Sequence, residues 1–287
     1  MNVVRTAAEL RSELGGSRAA GLRVGFVPTM GALHEGHVSL VRAARAATDV
    51  VVMSIFVNPL QFVAGEDFAT YPRDEATDLG VAEVSGVDVV FIPSVGEMYP
   101  EGRTTTVSVG DLGDTLEGRA RPGHFDGVAT VVAKLFNIVQ PDVAFFGQKD
   151  AQQVAVVRRM VADLSLPVTV VVGPTVRARD GLALSSRNAY LSADQRTQAT
   201  ALYRALEAGC ALMRSGADPA TAAKQVWEVM ASSAGVEPEY ADAVDPDTFG
   251  PPENGRSVLL VVAAHVGPAR LIDNVIVQAA EIEGGEG

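Results

Sequence analysis

Two histidines, His34 and His37, stand three residues apart in the stretch VGFVPTMGALHEGHVSL, residues 24–40. The chain holds only four histidines and three lysines, Lys134, Lys149 and Lys224, so their placement carries information. An apolar run over 23–28 leads into a loop with Gly31, and a helix is expected to open near Gly36. Unpaired N–H groups at a helix start attract anions. Residues at i and i+3 share a helix face, so both imidazoles can address one phosphate group. Gly36 between them leaves room for a base or ribose against the backbone. Two other readings of the pair stay open: a helix cap with surface histidines, and a metal pair. The metal reading lacks the i,i+4 spacing of HExxH and a third nearby ligand.

Two further motifs carry polar chemistry. In FFGQKDAQQ, 145–153, a strand is expected to end at Phe146, with Lys149 and Asp150 opening a helix. A lysine at a strand's carboxyl end suits a phosphate as a point charge, and a solvated surface lysine is the plain alternative. In GLALSSRNAYLS, 181–192, Ser185, Ser186 and Arg187 can donate several hydrogen bonds to phosphate oxygens. Part of that polarity is structural, since Ser192 with Asp194 reads as a helix N-cap. A P-loop, a G-x-G-x-x-G fingerprint and a G-x-S-x-G elbow are all missing, which argues against the enzymes built on them.

The elements that must position these groups alternate through the first half. Strand-like runs at 23–28, 50–57, 87–92, 143–146 and 167–172 are apolar throughout. Helical patterns at 37–47, 73–85, 125–139 and 151–164 separate them. That combination predicts a parallel sheet covered on both faces, a Rossmann-like, doubly wound α/β domain over residues 1–175. From 176 to 287 the pattern changes to helices at 193–215 and 218–233, then strands at 240–244, 257–263 and 270–277. This predicts a smaller α+β C-terminal domain, with the boundary near Gly173 and Pro174. Asp218 followed by Pro219 signals a helix start. The tail EIEGGEG is expected to fray.

The chain has 287 residues, and its formal charge is −12. Its 47% hydrophobic and 20% charged content is that of a globular protein. The acidity argues against non-specific nucleic-acid binding, which needs a basic surface, but not against anionic small molecules met by a local positive site. A single cysteine, Cys210, cannot form an internal disulfide. No apolar run approaches a membrane span, and the N-terminus has no signal-peptide core. The expectation is a soluble cytoplasmic protein with no membrane or nucleic-acid partner.

Taken together, the motifs resemble a known family. PTMGALHEGH at 28–37, SIFVNPLQF at 54–62, YPR at 71–73, RPGHFDGVATVVAKLFNIVQPD at 121–142, FFGQKDAQQ at 145–153, SSRNAYL at 185–191 and RLIDN at 270–274 follow one another in the order seen in the pantoate–β-alanine ligase family, of the HIGH-type nucleotidyltransferase superfamily. The resemblance covers nearly the whole chain.

It implies a ligase that forms pantothenate from pantoate, β-alanine and ATP with Mg²⁺, through a pantoyl adenylate, releasing AMP and pyrophosphate. It implies a homodimer, and a C-terminal domain closing over the ATP site. Carried over by motif, His34, His37, Lys149, Ser185, Ser186 and Arg187 are the catalytic set around the phosphates. Met30, Gly36, Gly147, Asp150, Val176 and Leu184 complete the ATP contacts, with Asp150 taking a ribose hydroxyl. Thr29, Met30, Gln61 and Gln153 hold pantoate. Neutral amides suit a small buried hydroxy acid because they orient it without adding a charge to desolvate. Tyr71, Arg121 and His124 are further candidates, and EGRARPGHFDG, 117–127, reads as a mobile cover or a plain surface loop. Metal ligands are not identified by motif. Leu184 stands where the family often has Met, Gln148 where it often has Glu, and Ala151 where it often has a larger residue. Two other classes fit the residues without the resemblance: a nucleotidyltransferase with a phosphate substrate, and a non-catalytic ATP-binding regulator.

Overall fold

The structure, a computed structural model, describes residues 1–283. It divides into two compact units, residues 1–147 with 152–174, and residues 148–151 with the chain from Thr175 onward.

The first unit is a six-stranded sheet: β1 (Asn2–Val4), β2 (Val24–Thr29), β3 (Val50–Ile55), β4 (Val89–Phe91), β5 (Val143–Gly147) and β6 (Thr169–Gly173). The spatial order is β1-β4-β3-β2-β5-β6, and every pairing is parallel. The helices are α1 (Ala7–Ala19), α2 (Glu35–Ala47), α3 (Glu75–Ser85), the short α4 (Val95–Met98) and α5 (Glu117–Ala120), then α6 (His124–Val139) and α7 (Ala151–Asp163).

Alternating residues of each strand feed two cores, as the period of two requires. Phe26, Val52, Phe91, Ala144 and Phe146 pack with Leu10 and Leu14 of α1, the apolar side of α6, and Val156 of α7. Val27, Val51, Met53, Val90 and Phe145 pack with Val41 and Ala44 of α2 and Ala82 of α3. The sheet is therefore covered on both faces, and the strands can be apolar throughout.

The order of the strands sets the site. The chain leaves β2 toward β3 and β4, then returns to β5 on the other side of β2. In open α/β sheets ligands lie beyond the carboxyl ends of the strands where the direction reverses. Here those ends carry Thr29 on β2 and Gly147 on β5.

The second unit is α8 (Ala193–Ala199), α9 (Ala201–Arg214), α10 (Pro219–Ala231), the antiparallel strands β7 (Glu237–Val244), β8 (Val258–Val266) and β9 (Ala269–Val277), and α11 (Ala279–Glu283). Leu202, Leu206, Met213, Val226 and Met230 of the helices pack against Leu260, Val262, Ala264 and Leu271 of the sheet. This is an α+β unit.

Some expectations shift. The N-terminal stretch, read only as amphipathic, contributes β1 and then α1, which opens with a capping box between Thr6 and Glu9. The single helix expected over 193–215 is two, broken at Thr200, whose N–H turns back to the Thr197 and Gln198 carbonyls and whose hydroxyl donates to Thr197 O at 2.7 Å. That local bonding is the competition with helix that threonine offers. Strand β7 starts at Glu237, before the expected 240, with a register shift between Pro238 and Tyr240 where proline cannot donate to the ladder. The tail expected to fray is helical as far as Glu283, and 284–287 lie outside the described residues. No helix among the described residues is long and apolar enough to cross a membrane.

Candidate active site

In the first unit, β2 ends at Thr29, whose hydroxyl donates to Ser54 O at 2.7 Å and accepts from Gly31 N at 3.2 Å. The chain then turns sharply, with Gly31 at φ +82° and Ala32 at φ +50°. The turn is held from α3 by buried Asp78, whose carboxylate accepts from Ala32 N at 3.0 Å and Leu33 N at 2.8 Å. A Cβ at residue 31 would lie 2.7 Å from that carboxylate, so the turn needs glycine for space as well as for φ.

The turn delivers His34 to the N-cap of α2. Its Nδ1 accepts from Gly36 N at 3.1 Å, and His34 N donates to His37 Nδ1 at 3.2 Å. The rings sit 4.2 Å apart, tilted by 41°. Of the readings open for this pair, the cap is present, built as a reciprocal box. It also fixes a tautomer. Each Nδ1 accepts, so a neutral ring carries its proton on Nε2. The space over Gly36 is covered by the His34 ring, with Cε1 2.8 Å from where a Cβ would stand. No three His, Cys, Asp or Glu side chains among the described residues converge as a metal site.

Beyond β3 the chain passes Asn58 into a 3-10 turn, Pro59–Gln61. Gln61 is buried; its Nε2 lies 3.0 Å from Met30 Sδ, and its Oε1 accepts from Asn58 Nδ2 at 3.1 Å. Asn58 is itself fully used: it donates to Gly127 O at 3.1 Å and accepts from Tyr99 OH at 2.7 Å and Leu60 N at 3.2 Å. Met30 and Gln61 thus meet just beyond Thr29, at the end of β2. Gln153 lies half-buried near the start of α7. Its neighbour Gln152 is structural, bonding Glu117 N, Leu112 O and Thr115 O.

The stretch 117–127 is not a plain surface loop. Glu117, Gly118 and His124 are buried, and the segment forms α5 and the start of α6. His124 Nδ1 lies 2.7 Å from Gln61 O, so it carries the ring proton and donates; Nε2, 3.0 Å from Arg121, accepts. Arg121 also grips Glu66 through two contacts, at 2.5 and 2.9 Å. Burial would raise the Glu66 pKa, but the hydrogen bonds and charge of Arg121 hold it below the ordinary value. Tyr71 is buried with its ring edge-on to Phe62 at 6.0 Å. Arg121 and His124 brace the Gln61 turn through Gln61 O, and Tyr71 packs on Phe62 just after it.

Burial, aided by the Arg121 charge, lowers the His124 pKa from 6.5 to about 4. A depressed folded-state pKa means the unfolded chain binds the proton first as pH falls. The contribution is whole above about pH 6.5 and is lost toward pH 4, on the order of 2–3 kcal/mol. Unfolding free energy measured from pH 7 to 4 should show this fall, and His124→Asn should flatten it. An unchanged slope in that variant would remove His124 as its source.

In the second unit, Gln148–Asp150 form a 3-10 turn, with Lys149 Nζ 3.6 Å from Asp150 Oδ1. Val176 and Leu184 face each other in a short hairpin, Leu184 N donating to Val176 O at 2.9 Å. Ser185 follows as N-cap of a 3-10 turn, Ser186–Tyr190, accepting from Arg187 N at 3.3 Å. Ser186 and Arg187 are half-buried, and Ser192 caps α8 with a capping box to Gln195. Gly147, the last residue of β5, belongs to the first unit, where it pairs with Gly173.

Sequence reasoning missed Asn58, Asp78 and the pair Asp273 and Asn274. Asn58 was legible only as the stop of a strand, and the last two lie in RLIDN, which carried the resemblance without a role.

The family model for pantoate-beta-alanine ligase matches residues 2–276. A pantothenate synthetase of Moorella thermoacetica is 52% identical over 281 residues, 97% of this chain and 99% of that protein. The crystal structure of pantothenate synthetase from Thermus thermophilus shares 50% identity with a TM-score of 0.89, over 96% of this chain and 99% of that one. A pantoate-beta-alanine ligase from Francisella tularensis, solved in complex with beta-gamma ATP and beta-alanine, shares 33% identity with a TM-score of 0.79, over 96% and 97%. With one family model spanning almost the full length and half the residues identical to such relatives, the chain belongs to the pantoate–β-alanine ligase family.

Proposed function

We propose that this chain condenses pantoate with β-alanine to pantothenate at the expense of ATP, through a pantoyl adenylate. A pantoate carboxylate oxygen attacks the α-phosphorus, and the bond to the β-phosphate breaks to release pyrophosphate. The β-alanine amine then attacks the acyl carbon, and AMP leaves as the amine gives up its proton.

A carboxylate is already ionised at neutral pH, so the first step needs no dedicated base. The work is positioning two anions and stabilising charge on the phosphates. The observation that supports the reading best is the end of β2, where Met30 meets the buried Gln61 amide and the same loop leads on from Thr29 to the capped pair His34 and His37. In this reading the first unit holds pantoate through Gln61 and Gln153, and its histidines meet the phosphates beside Gly36. In the second unit Lys149, Ser185, Ser186 and Arg187 serve the triphosphate, and Asp150, Val176 and Leu184 serve the adenosine, with Gly147 beside them in sequence.

Mg²⁺ enters this reading with ATP. Mg²⁺ is ordinarily held by substrate phosphates and water with one or two carboxylates, which is the form in which ATP would bring it. The reading includes a homodimer, as the resemblance implies, and a cytoplasmic setting, supported by a lone buried Cys210 whose thiol pKa burial pushes up to about 11. Such a thiol stays protonated and inert at neutral pH.

The test is ATP–pyrophosphate exchange with Mg²⁺ and no β-alanine. Exchange should depend on pantoate and fail with other short hydroxy acids. Folded protein that shows no pantoate-dependent exchange would falsify the adenylate route. A stable dinucleotide-like product in place of AMP would point to the nucleotidyltransferase reading, and ATP binding without exchange to a regulator.

A further inference from the structure

The residues Asp273 and Asn274 of β9 are nearly solvent-free, each 4% exposed, on a strand far in sequence from every residue given a role above. Their polar groups are spent on two segments of the second unit. Asn274 Nδ2 donates to two consecutive carbonyls, Gln148 O at 3.0 Å and Lys149 O at 2.9 Å. Its Oδ1 accepts from Gln148 Nε2 at 3.1 Å. Two carbonyl acceptors require the NH₂ on that side, so the orientation of the amide is fixed by its partners. Both amide hydrogens of Asn274 go to the turn that carries Lys149.

Asp273 continues the chain of contacts. It accepts from Arg177 at 2.5 and 2.8 Å, a paired-fork geometry that fixes direction as well as distance. Arg177 lies over the Tyr203 ring at 4.1 Å, donates to Gly181 O at 3.1 Å and donates to Asn274 O at 3.2 Å. It bridges to Ala183 across the hairpin that joins Val176 to Leu184 and leads into Ser185, Ser186 and Arg187. One buried cluster therefore bonds both segments of the second unit on which the triphosphate roles fall.

We propose that Asn274 is a positioning residue for adenylation, holding the Lys149 turn in register with the 176–187 segment through Asp273 and Arg177. This rests on the ligase reading above. An ammonium serves a developing phosphate charge only if it is placed before the reaction, and a displacement of about 1 Å can cost about 10²-fold in rate. Lys149 sits on a three-residue turn with no regular ladder of its own, and the Asn274 amide supplies the bonds that hold its carbonyl.

The experiment measures pantoate-dependent ATP–pyrophosphate exchange in wild type, Asn274→Ala, Lys149→Ala and the double variant, with thermal unfolding alongside. Asn274→Ala should lower kcat by about 10- to 100-fold and leave KM for pantoate nearly unchanged. The double variant should be no slower than Lys149→Ala alone, because the two act through one group. A kcat near wild type in Asn274→Ala, or losses that multiply in the double variant, overturns the proposal. If Asn274→Ala does not fold, Asn274→Ser keeps one donor and is read the same way with a smaller loss. Wild-type protein that shows no exchange would sink the ligase reading, whereas exchange that persists unaltered in Asn274→Ala, with Lys149→Ala impaired, removes only the role of Asn274.

Discussion

Lys149→Ala is expected to lower kcat for pantoyl adenylate formation by about 100-fold or more, since removing a donor aimed at developing charge costs roughly 2.7–4 kcal/mol. The argument begins with scarcity: the chain carries −12 and has three lysines, of which one stands where a strand ends and a helix starts. Its companion is Asp150, 3.6 Å away and half-exposed. At 3.6 Å the contact is longer than a charge-assisted hydrogen bond, so it does not lock the ammonium away from a phosphate. If Lys149 acts mainly in the transition state, kcat and kcat/KM should fall together; a rise in KM alone would mean ground-state binding. Lys149→Arg keeps the charge but replaces a compact ammonium by a wide planar fork, and partial activity is expected. The measurement is exchange kinetics at saturating ATP, and a kcat within about threefold of wild type would remove Lys149 from the role, given the size of the effect at stake.

The same lysine shows how far the sequence could be read. Its type, its rarity and its place after an apolar strand were visible in FFGQKD. The parallel sheet was visible too, because strands buried on both faces have no polar side to hide. What holds the lysine was not visible. Asn274 is 125 residues away, and an asparagine within RLIDN gives no local sign that its amide will meet two carbonyls of a distant turn. Asn58 and Asp78 were hidden for the same reason: each bonds backbone groups on another element, and backbone groups leave no trace in residue type. The histidine pair lies between these cases. Its spacing was legible as a helix start, but that each ring accepts from a backbone N–H of the cap, and so settles its tautomer, needed the geometry of the turn at Gly31 and Ala32.

Gly127→Ala should be a severely damaging small substitution in the first unit, costing about 3 kcal/mol or more in stability and raising KM for pantoate in any protein that folds. Gly127 lies one turn into α6, in an ordinary helical position where alanine would by propensity be favoured by nearly ~1 kcal/mol. The environment reverses that preference. A Cβ there would meet Leu60 O at 2.2 Å, Leu60 C at 2.4 Å and Gln61 N at 2.7 Å. These are backbone atoms of the Pro59–Gln61 turn, so no rotamer change relieves the clash, and either α6 or the turn must move. The turn is held from three sides, by Asn58 on Gly127 O, by His124 on Gln61 O, and by Arg121 on Gln61 O at 3.2 Å. Displacing it breaks those bonds and carries the Gln61 amide away from Met30. Stability and pantoate binding should therefore fail together, which separates this substitution from an ordinary core defect. Thermal unfolding and the pantoate dependence of exchange check it, with Ala129→Gly, in the same helix but in the apolar core, as the comparison that should lose stability with pantoate KM unchanged. A stable Gly127→Ala protein with normal pantoate KM would show that the turn can shift without cost, and would separate Gln61 from the packing around it.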